Sequence, residues 1–136
     1  MATVVDKKNY DNGHAVIYVT ITIPKLLKNH QIQVDINCVI DTGFDSGILL
    51  PDTVAPNREI IDKLPQTVLR LADESEITAF VCVGYIQKID NHPFTNPGKP
   101  VTVIIYRQAG GLVGMDTLKH FSVTFDGFSQ RFTITE

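Results

Sequence analysis

The chain has 136 residues, 43% of them hydrophobic, with 12 Lys and Arg against 15 Asp and Glu. This length favours one domain spanning residues 1–136, and the hydrophobic content excludes wholesale disorder. The net charge of −3 comes without a basic cluster, so charge gives no basis for nucleic acid or an anionic membrane as a partner. Apolar runs fall far short of the roughly 20 residues that span a bilayer.

The N-terminal segment 1–13 is polar and has no apolar signal sequence. We therefore expect residues 1–13 to form a flexible extension and the protein to be cytoplasmic. Cys38 and Cys82 lie in apolar, strand-like stretches, which predicts two buried free thiols. The four histidines are dispersed without ligand spacing, so the sequence predicts neither a metal nor a cofactor.

In the first half of the chain, apolar residues alternate with polar ones over 15–23 and 32–40. Period-two alternation predicts two strands, here a hairpin whose first strand ends at Pro24. A polar, glycine-marked loop at 41–47 follows. Beyond it we expect a short strand at 48–50 and a weak helix over 52–64 that Pro56 interrupts.

The second half of the chain continues in short apolar segments separated by turn residues. Strands are expected at 66–72, 77–89, 101–106, 122–126 and 130–135, with a loop at 90–100, a turn at Gly110-Gly111 and a short helix over 115–121. Many short strands without βαβ alternation predict an all-β barrel or sandwich with one or two short helices.

The strongest candidate site is Asp41-Thr42-Gly43, directly after the buried strand at 32–40. The strand fixes the backbone of Asp41, the Thr42 hydroxyl can hydrogen-bond locally or across an interface, and Gly43 permits a tight turn. This arrangement holds a carboxylate rigidly in a dry place. A turn aspartate without catalytic function is the simpler alternative.

A second element lies far downstream at Leu112-Val113-Gly114, just before the expected helix. Together with Asp41-Thr42-Gly43 it resembles the retropepsin-like aspartic proteases of clan AA, especially the small bacterial and archaeal single-lobe members. The resemblance covers about residues 15–125. It implies a retropepsin-like fold in which the apolar-apolar-Gly segment crosses behind the aspartate loop.

The resemblance also implies a mechanism. Two adjacent aspartates share one proton, so that one activates water and the other polarises the peptide carbonyl. Only one Asp-Thr-Gly is present, so one chain supplies half a site. The implied enzyme is a homodimeric aspartic endopeptidase whose dyad is Asp41 from each chain, acting on a peptide or protein substrate.

Further roles follow from the same resemblance. Thr42 would hydrogen-bond across the dimer, Gly43 would lie against the substrate backbone, and Asp45 would hold the substrate main chain. The strands around Asp73 would form a flap, and residues 130–136 would pair with the partner chain. The substrate-binding residues implied are Gly43, Phe44, Asp45, Asp73, Glu74 and Ser75.

Two features depart from the family pattern. Phe44 stands where the residue is usually small, and the flap tip at 73–76 is acidic and lacks glycine. An acidic tip over an acidic dyad would disfavour acidic substrates. These departures motivate an alternative function, a non-catalytic retropepsin-fold module for dimerisation or peptide binding. A serine triad is less favoured, because no Gly-x-Ser-x-Gly elbow is present.

Overall fold

The computed structural model describes residues 3–7, 10–11, 14–27, 30–70, 73–93, 100–107 and 110–135. Strands dominate these residues, as the sequence predicted, and the all-β class is confirmed. The elements are β1 (Thr3–Lys7), β2 (Tyr10–Asp11), β3 (His14–Leu27), β4 (His30–Ile40), β5 (Ile48–Pro51), α1 (Arg58–Asp62), β6 (Gln66–Arg70), β7 (Glu76–Ile89), β8 (His92–Pro93), β9 (Pro100–Tyr106), β10 (Gly111–Val113), α2 (Met115–Leu118), β11 (Ser122–Asp126) and β12 (Arg131–Thr135).

The main sheet closes on itself. Successive pairings run β3–β4–β10–β5–β9–β7, and β7 pairs again with β3 to complete a ring of six strands. Side chains at alternate positions point into this ring, so Ile17, Val19, Ile21 and Ile23 of β3 are at most 1% exposed. Burial of these branched side chains is the main stabilising contribution to the barrel.

The short strand β10 joins two other strands of this ring. It lies between β4, to which it is parallel, and β5, to which it is antiparallel. The sequence predicted a turn at Gly110-Gly111, but Gly111 is the first residue of β10. A side chain on Gly111 would place its Cβ 2.6 Å from the Asn37 carbonyl oxygen and 2.9 Å from Cys38 Sγ. Close approach of β10 to β4 therefore requires a glycine at this position.

A separate three-stranded sheet contains the chain termini. β12 is its central strand, with β1 on one edge and β11 on the other. Residues 1–13 were expected to be a flexible extension, but 3–7 form β1, since their β-branched residues pair with the open edge of β12. β12 is paired along both edges within one chain, so the expected pairing of 130–136 with a partner does not fit this sheet. Among the described residues, the outer strands of this sheet are β1 and β11.

Three other local predictions need correction. Pro24 does not end its strand, because β3 continues to Leu27 across an irregularity between Ile23 and Leu27. Proline lacks a backbone donor and is tolerated at such a bulge. The helix expected over 52–64 splits into a 3-10 turn, Asp52–Val54, and α1, whose N-cap Asn57 accepts a hydrogen bond from the Ile60 N–H at 3.2 Å. The final helix also ends earlier than expected, at Leu118.

The two thiols differ in burial. Cys38 is fully buried, and burial raises its pKa to about 12. Cys82 is only half-buried, although burial still raises its pKa to about 11. Among the described residues, no three or more His, Cys, Asp or Glu side chains are grouped where they could hold a metal ion. No helix in the described part of the chain has the length and apolar character needed to cross a membrane.

Candidate active site

Asp41 stands immediately after the last residue of β4. Its backbone N–H donates a hydrogen bond to the Val113 carbonyl at 2.9 Å, so β10 fixes the position where the loop begins. The Gly43 N–H donates to Asp41 Oδ1 at 2.9 Å, and the Phe44 N–H donates to the Asp41 carbonyl at 3.2 Å. The loop therefore orients its own carboxylate, which remains half-buried.

The segment that begins α2 braces the far side of this loop. The Gly114 N–H donates to the Gly47 carbonyl at 2.8 Å, and the Thr117 hydroxyl donates to the same carbonyl at 3.0 Å. The Met115 N–H donates to the Phe44 carbonyl at 2.7 Å. The structure thus places Leu112, Val113 and Gly114 against the Asp41 loop, although residues 48–111 separate the two elements along the chain.

Gly114 makes this bracing possible. A Cβ at this position would lie 2.5 Å from the Phe44 carbonyl oxygen and 2.6 Å from Phe44 Cδ2, and it would also overlap the Ser46 carbonyl oxygen. The Phe44 ring therefore packs directly over Gly114, in space that a side chain would need. The absence of a side chain at Gly114 thus leaves room for the bulky Phe44, which follows Asp41-Thr42-Gly43.

A cleft of about 690 Å³ opens above the loop. Its floor is formed by Asp41 and the residues after it, and its roof by the β6–β7 hairpin, the predicted flap. Apolar side chains from the outer faces of β5, β9 and β10 complete the walls. The lining residues are Asp41, Gly43, Phe44, Asp45, Ser46, Leu49, Val68, Leu69, Arg70, Ile77, Tyr106, Gly110 and Leu112.

The tip of the flap lies outside this lining. Asp73, Glu74 and Ser75 are exposed, and Thr42 is exposed as well. At the tip, the Ser75 hydroxyl and N–H both donate to Asp73 Oδ1, at 2.5 and 3.0 Å, which lowers the pKa of Asp73. Glu74 has a φ of 68°, the left-handed backbone of a tight turn. Substrate contact by these three residues stays a prediction.

Sequence reasoning missed the residues that line the roof and wall, above all Arg70 and Tyr106. Arg70 is the last residue of β6 and stands opposite Glu76 in the hairpin, with 3.5 Å between Arg70 Nη2 and Glu76 Oε1. The register of the hairpin is the signal that would have found this pair, since opposite charges are favoured at facing positions. The cleft therefore holds three formally charged side chains among its described residues, Asp41, Asp45 and Arg70.

The closed sheet, the inserted strand β10 and the braced Asp41 loop together define a retropepsin-like fold. The chain is similar to the crystal structure of a retropepsin-like aspartic protease from Rickettsia conorii, with 19% sequence identity and a TM-score of 0.60. The similarity covers 96% of this chain and 88% of that one. No family model matches the chain, and no curated protein matches it. At this sequence identity, the structural similarity establishes a shared fold alone.

Proposed function

We propose that the chain is one protomer of a homodimeric aspartic endopeptidase in which Asp41 of each copy forms the catalytic dyad. One observation carries this proposal. The Asp41 carboxylate lies at the floor of an open cleft, on a loop that is fixed from behind by Val113 and α2. Fixing a reacting carboxylate before substrate binds is the usual requirement for this chemistry.

The second carboxylate must come from a second copy, because the sequence holds one Asp-Thr-Gly. Thr42 beside Asp41 is exposed in the single chain, which suits a residue that hydrogen-bonds across a dimer. Two-fold symmetry would then bring the two loops together at one site.

The chemistry follows from two carboxylates that hold one proton between them. The ionised Asp41 takes a proton from a water, whose oxygen attacks the peptide carbonyl carbon. The protonated carboxyl of the partner subunit's Asp41 donates to the carbonyl oxygen as that oxygen gains negative charge. Transfer of a proton to the amide nitrogen then breaks the C–N bond, and both products leave with the dyad again carrying one proton.

The position of Phe44 favours catalysis over a blocked cleft. Its ring packs against Gly114, and the cleft still has a volume of about 690 Å³ with Phe44 in its lining. Pockets of this size accept ligands of several hundred Å³. An extended peptide can therefore reach Asp41 beneath the flap.

The proposal is tested by peptide-library cleavage at acidic to neutral pH, between about pH 4 and 7. Wild-type protein is expected to cleave, and Asp41→Asn is expected to be inactive. Asp62→Asn is the matched control, since Asp62 is exposed on α1 and pairs only with Arg58 among the described residues. Sedimentation must show all three proteins to be dimers. Cleavage that survives in Asp41→Asn contradicts the assignment.

A mixing experiment tests the shared site directly. Wild-type and Asp41→Asn chains are combined at equal concentration and allowed to exchange. If each site needs both aspartates, only wild-type homodimers are active, which are about one quarter of the dimers in a random mixture. A self-contained site in each chain would instead leave about one half of the activity.

The alternative of a non-catalytic peptide-binding module predicts a different outcome of the same assay. A sound dimer would bind extended peptides and release them intact, and Phe44→Ala would not produce cleavage.

A further inference from the structure

Arg70 brings a positive charge into a cleft that the sequence presents as acidic. It lies at the end of β6, at the tip end of the β6–β7 hairpin, and it lines the cavity together with Asp41 and Asp45. Arg70 is the cation among the described lining residues, and the other flap residues in the lining are the apolar Val68, Leu69 and Ile77. A guanidinium offers a planar fork of donors that matches the geometry of a carboxylate.

The present partner of Arg70 is a weak one. The Arg70 and Glu76 side chains are 74% and 58% exposed, and 3.5 Å separates their closest charged atoms. Exposed ion pairs of this kind contribute little to stability, because water screens them and two long side chains must be ordered. The guanidinium also has five donors, so it can bind a second carboxylate while it keeps or exchanges Glu76.

We propose that Arg70 is a specificity-determining residue which selects peptides that carry a glutamate or aspartate side chain beneath the flap. The proposal rests on the proposed peptidase function, since it names the substrate class of that site. It also replaces the expectation that acidic substrates are disfavoured. The acidic residues Asp73 and Glu74 are exposed at the flap tip and lie outside the cavity lining, whereas Arg70 lies within it.

The preference has a defined pH dependence. A substrate glutamate ionises with a pKa near 4.3, and its attraction to Arg70 exists only when it is ionised. Glu76 on β7 pairs with Arg70, and the other titratable side chains in the same cavity lining are Asp41 and Asp45 from the loop and Tyr106 from β9. Without Arg70, the remaining carboxylates repel an ionised substrate glutamate. The preference for Glu over Gln should therefore rise with pH in wild type and fall with pH in Arg70→Gln.

The experiment places Glu, Gln or Lys at successive positions of one cleaved peptide and compares kcat/KM at about pH 4 and about pH 6.5. At one position, wild type is expected to prefer Glu to Gln by roughly threefold to tenfold at the higher pH. Arg70→Gln should remove this preference, and Arg70→Glu should transfer it to Lys. Glu76→Gln should strengthen it, because the competing carboxylate is gone. Arg58→Gln is the matched control, since Arg58 pairs with Asp52 and lies outside the cleft lining.

A binding measurement separates failure of this proposal from failure of the proposed function. The same peptides are titrated into Asp41→Asn protein, with and without Arg70→Gln, by fluorescence anisotropy. Selective binding of the Glu peptide without any cleavage by wild type supports the role of Arg70 and overturns the peptidase. The role of Arg70 is overturned if neither cleavage nor binding distinguishes Glu from Gln. It is also overturned if a preference for Glu survives Arg70→Gln. Absence of both binding and cleavage overturns the two proposals together.

Discussion

Replacing Gly114 with alanine tests the packing between the Asp41 loop and α2. The φ of −100° at Gly114 is compatible with alanine, so any penalty is steric. The new Cβ would lie 2.5 Å from the Phe44 carbonyl oxygen and 2.6 Å from its ring carbon Cδ2. The ring can rotate away, but the carbonyls of Phe44 and Ser46 accept hydrogen bonds from the first turn of α2 and cannot move without weakening them.

The expected loss follows from these contacts. Forcing one extra carbon into a packed site destabilises by about 1–3 kcal/mol. Weakening the two hydrogen bonds adds about 1–2 kcal/mol, since each contributes about 1 kcal/mol net. Alanine has less conformational freedom than glycine in the unfolded chain, which offsets about 0.4–1 kcal/mol of this loss. We therefore expect Gly114→Ala to lower the free energy of unfolding by about 1–5 kcal/mol.

Urea unfolding followed by far-ultraviolet circular dichroism measures this change, since the chain contains no tryptophan. Protein concentration must be equal for all variants, because the stability of a dimer depends on it. Gly127→Ala is the matched control, as a Cβ there meets no atom within 4 Å. If Gly114→Ala and Gly127→Ala are equally stable, the close contact at Gly114 does not exist in solution and the bracing of the Asp41 loop is refuted.

Three further predictions concern single groups. Thr117→Val should lower the free energy of unfolding by about 1 kcal/mol in urea titration, because the Gly47 carbonyl loses one of its two donors; a larger loss in Thr117→Ser, which keeps the hydroxyl, would contradict this. Ser75→Ala should raise the pKa of Asp73 in a carbon-13 NMR titration, since Ser75 donates to that carboxylate and lowers its pKa. The stability that this contact contributes is lost as pH falls through the folded pKa of Asp73. An unchanged titration curve would exclude the contact. Burial raises the pKa of Cys38 to about 12, so its alkylation at pH 8 should be slow in folded protein and fast in urea. The free energy of unfolding should fall as pH rises above 9.0, because the thiol ionises first in the unfolded chain. Equal alkylation rates in both states would refute the burial of Cys38.

The sequence was informative where structure is local. Alternation over 15–23 and 32–40 predicted the β3–β4 hairpin and its inward face, and Asp41 was proposed as a site residue because it directly follows a strand. The retropepsin-like fold followed from two motifs whose spacing along the chain matched a known plan.

Other features depend on contacts that local patterns do not encode. Gly111 looked like a turn residue, and its pairing with Cys38 of β4 shows that it belongs to a strand. β1 was unforeseen because its partner, β12, lies at the other end of the chain. Arg70 has an ordinary polar environment in the sequence, and its place in the cleft depends on how the flap folds over the barrel.

The position of β10 has a consequence for how the protein is made. β4 and β5 are separated by only seven residues, yet they do not pair, because a strand that begins at Gly111 lies between them. During synthesis their facing edges therefore stay open until most of the chain has emerged, and such non-local closure slows folding. The Asp41 loop gains its Val113 contact only at that late stage. A nascent chain thus carries Asp41 for most of its synthesis without this contact and with two strand edges of the barrel still unpaired.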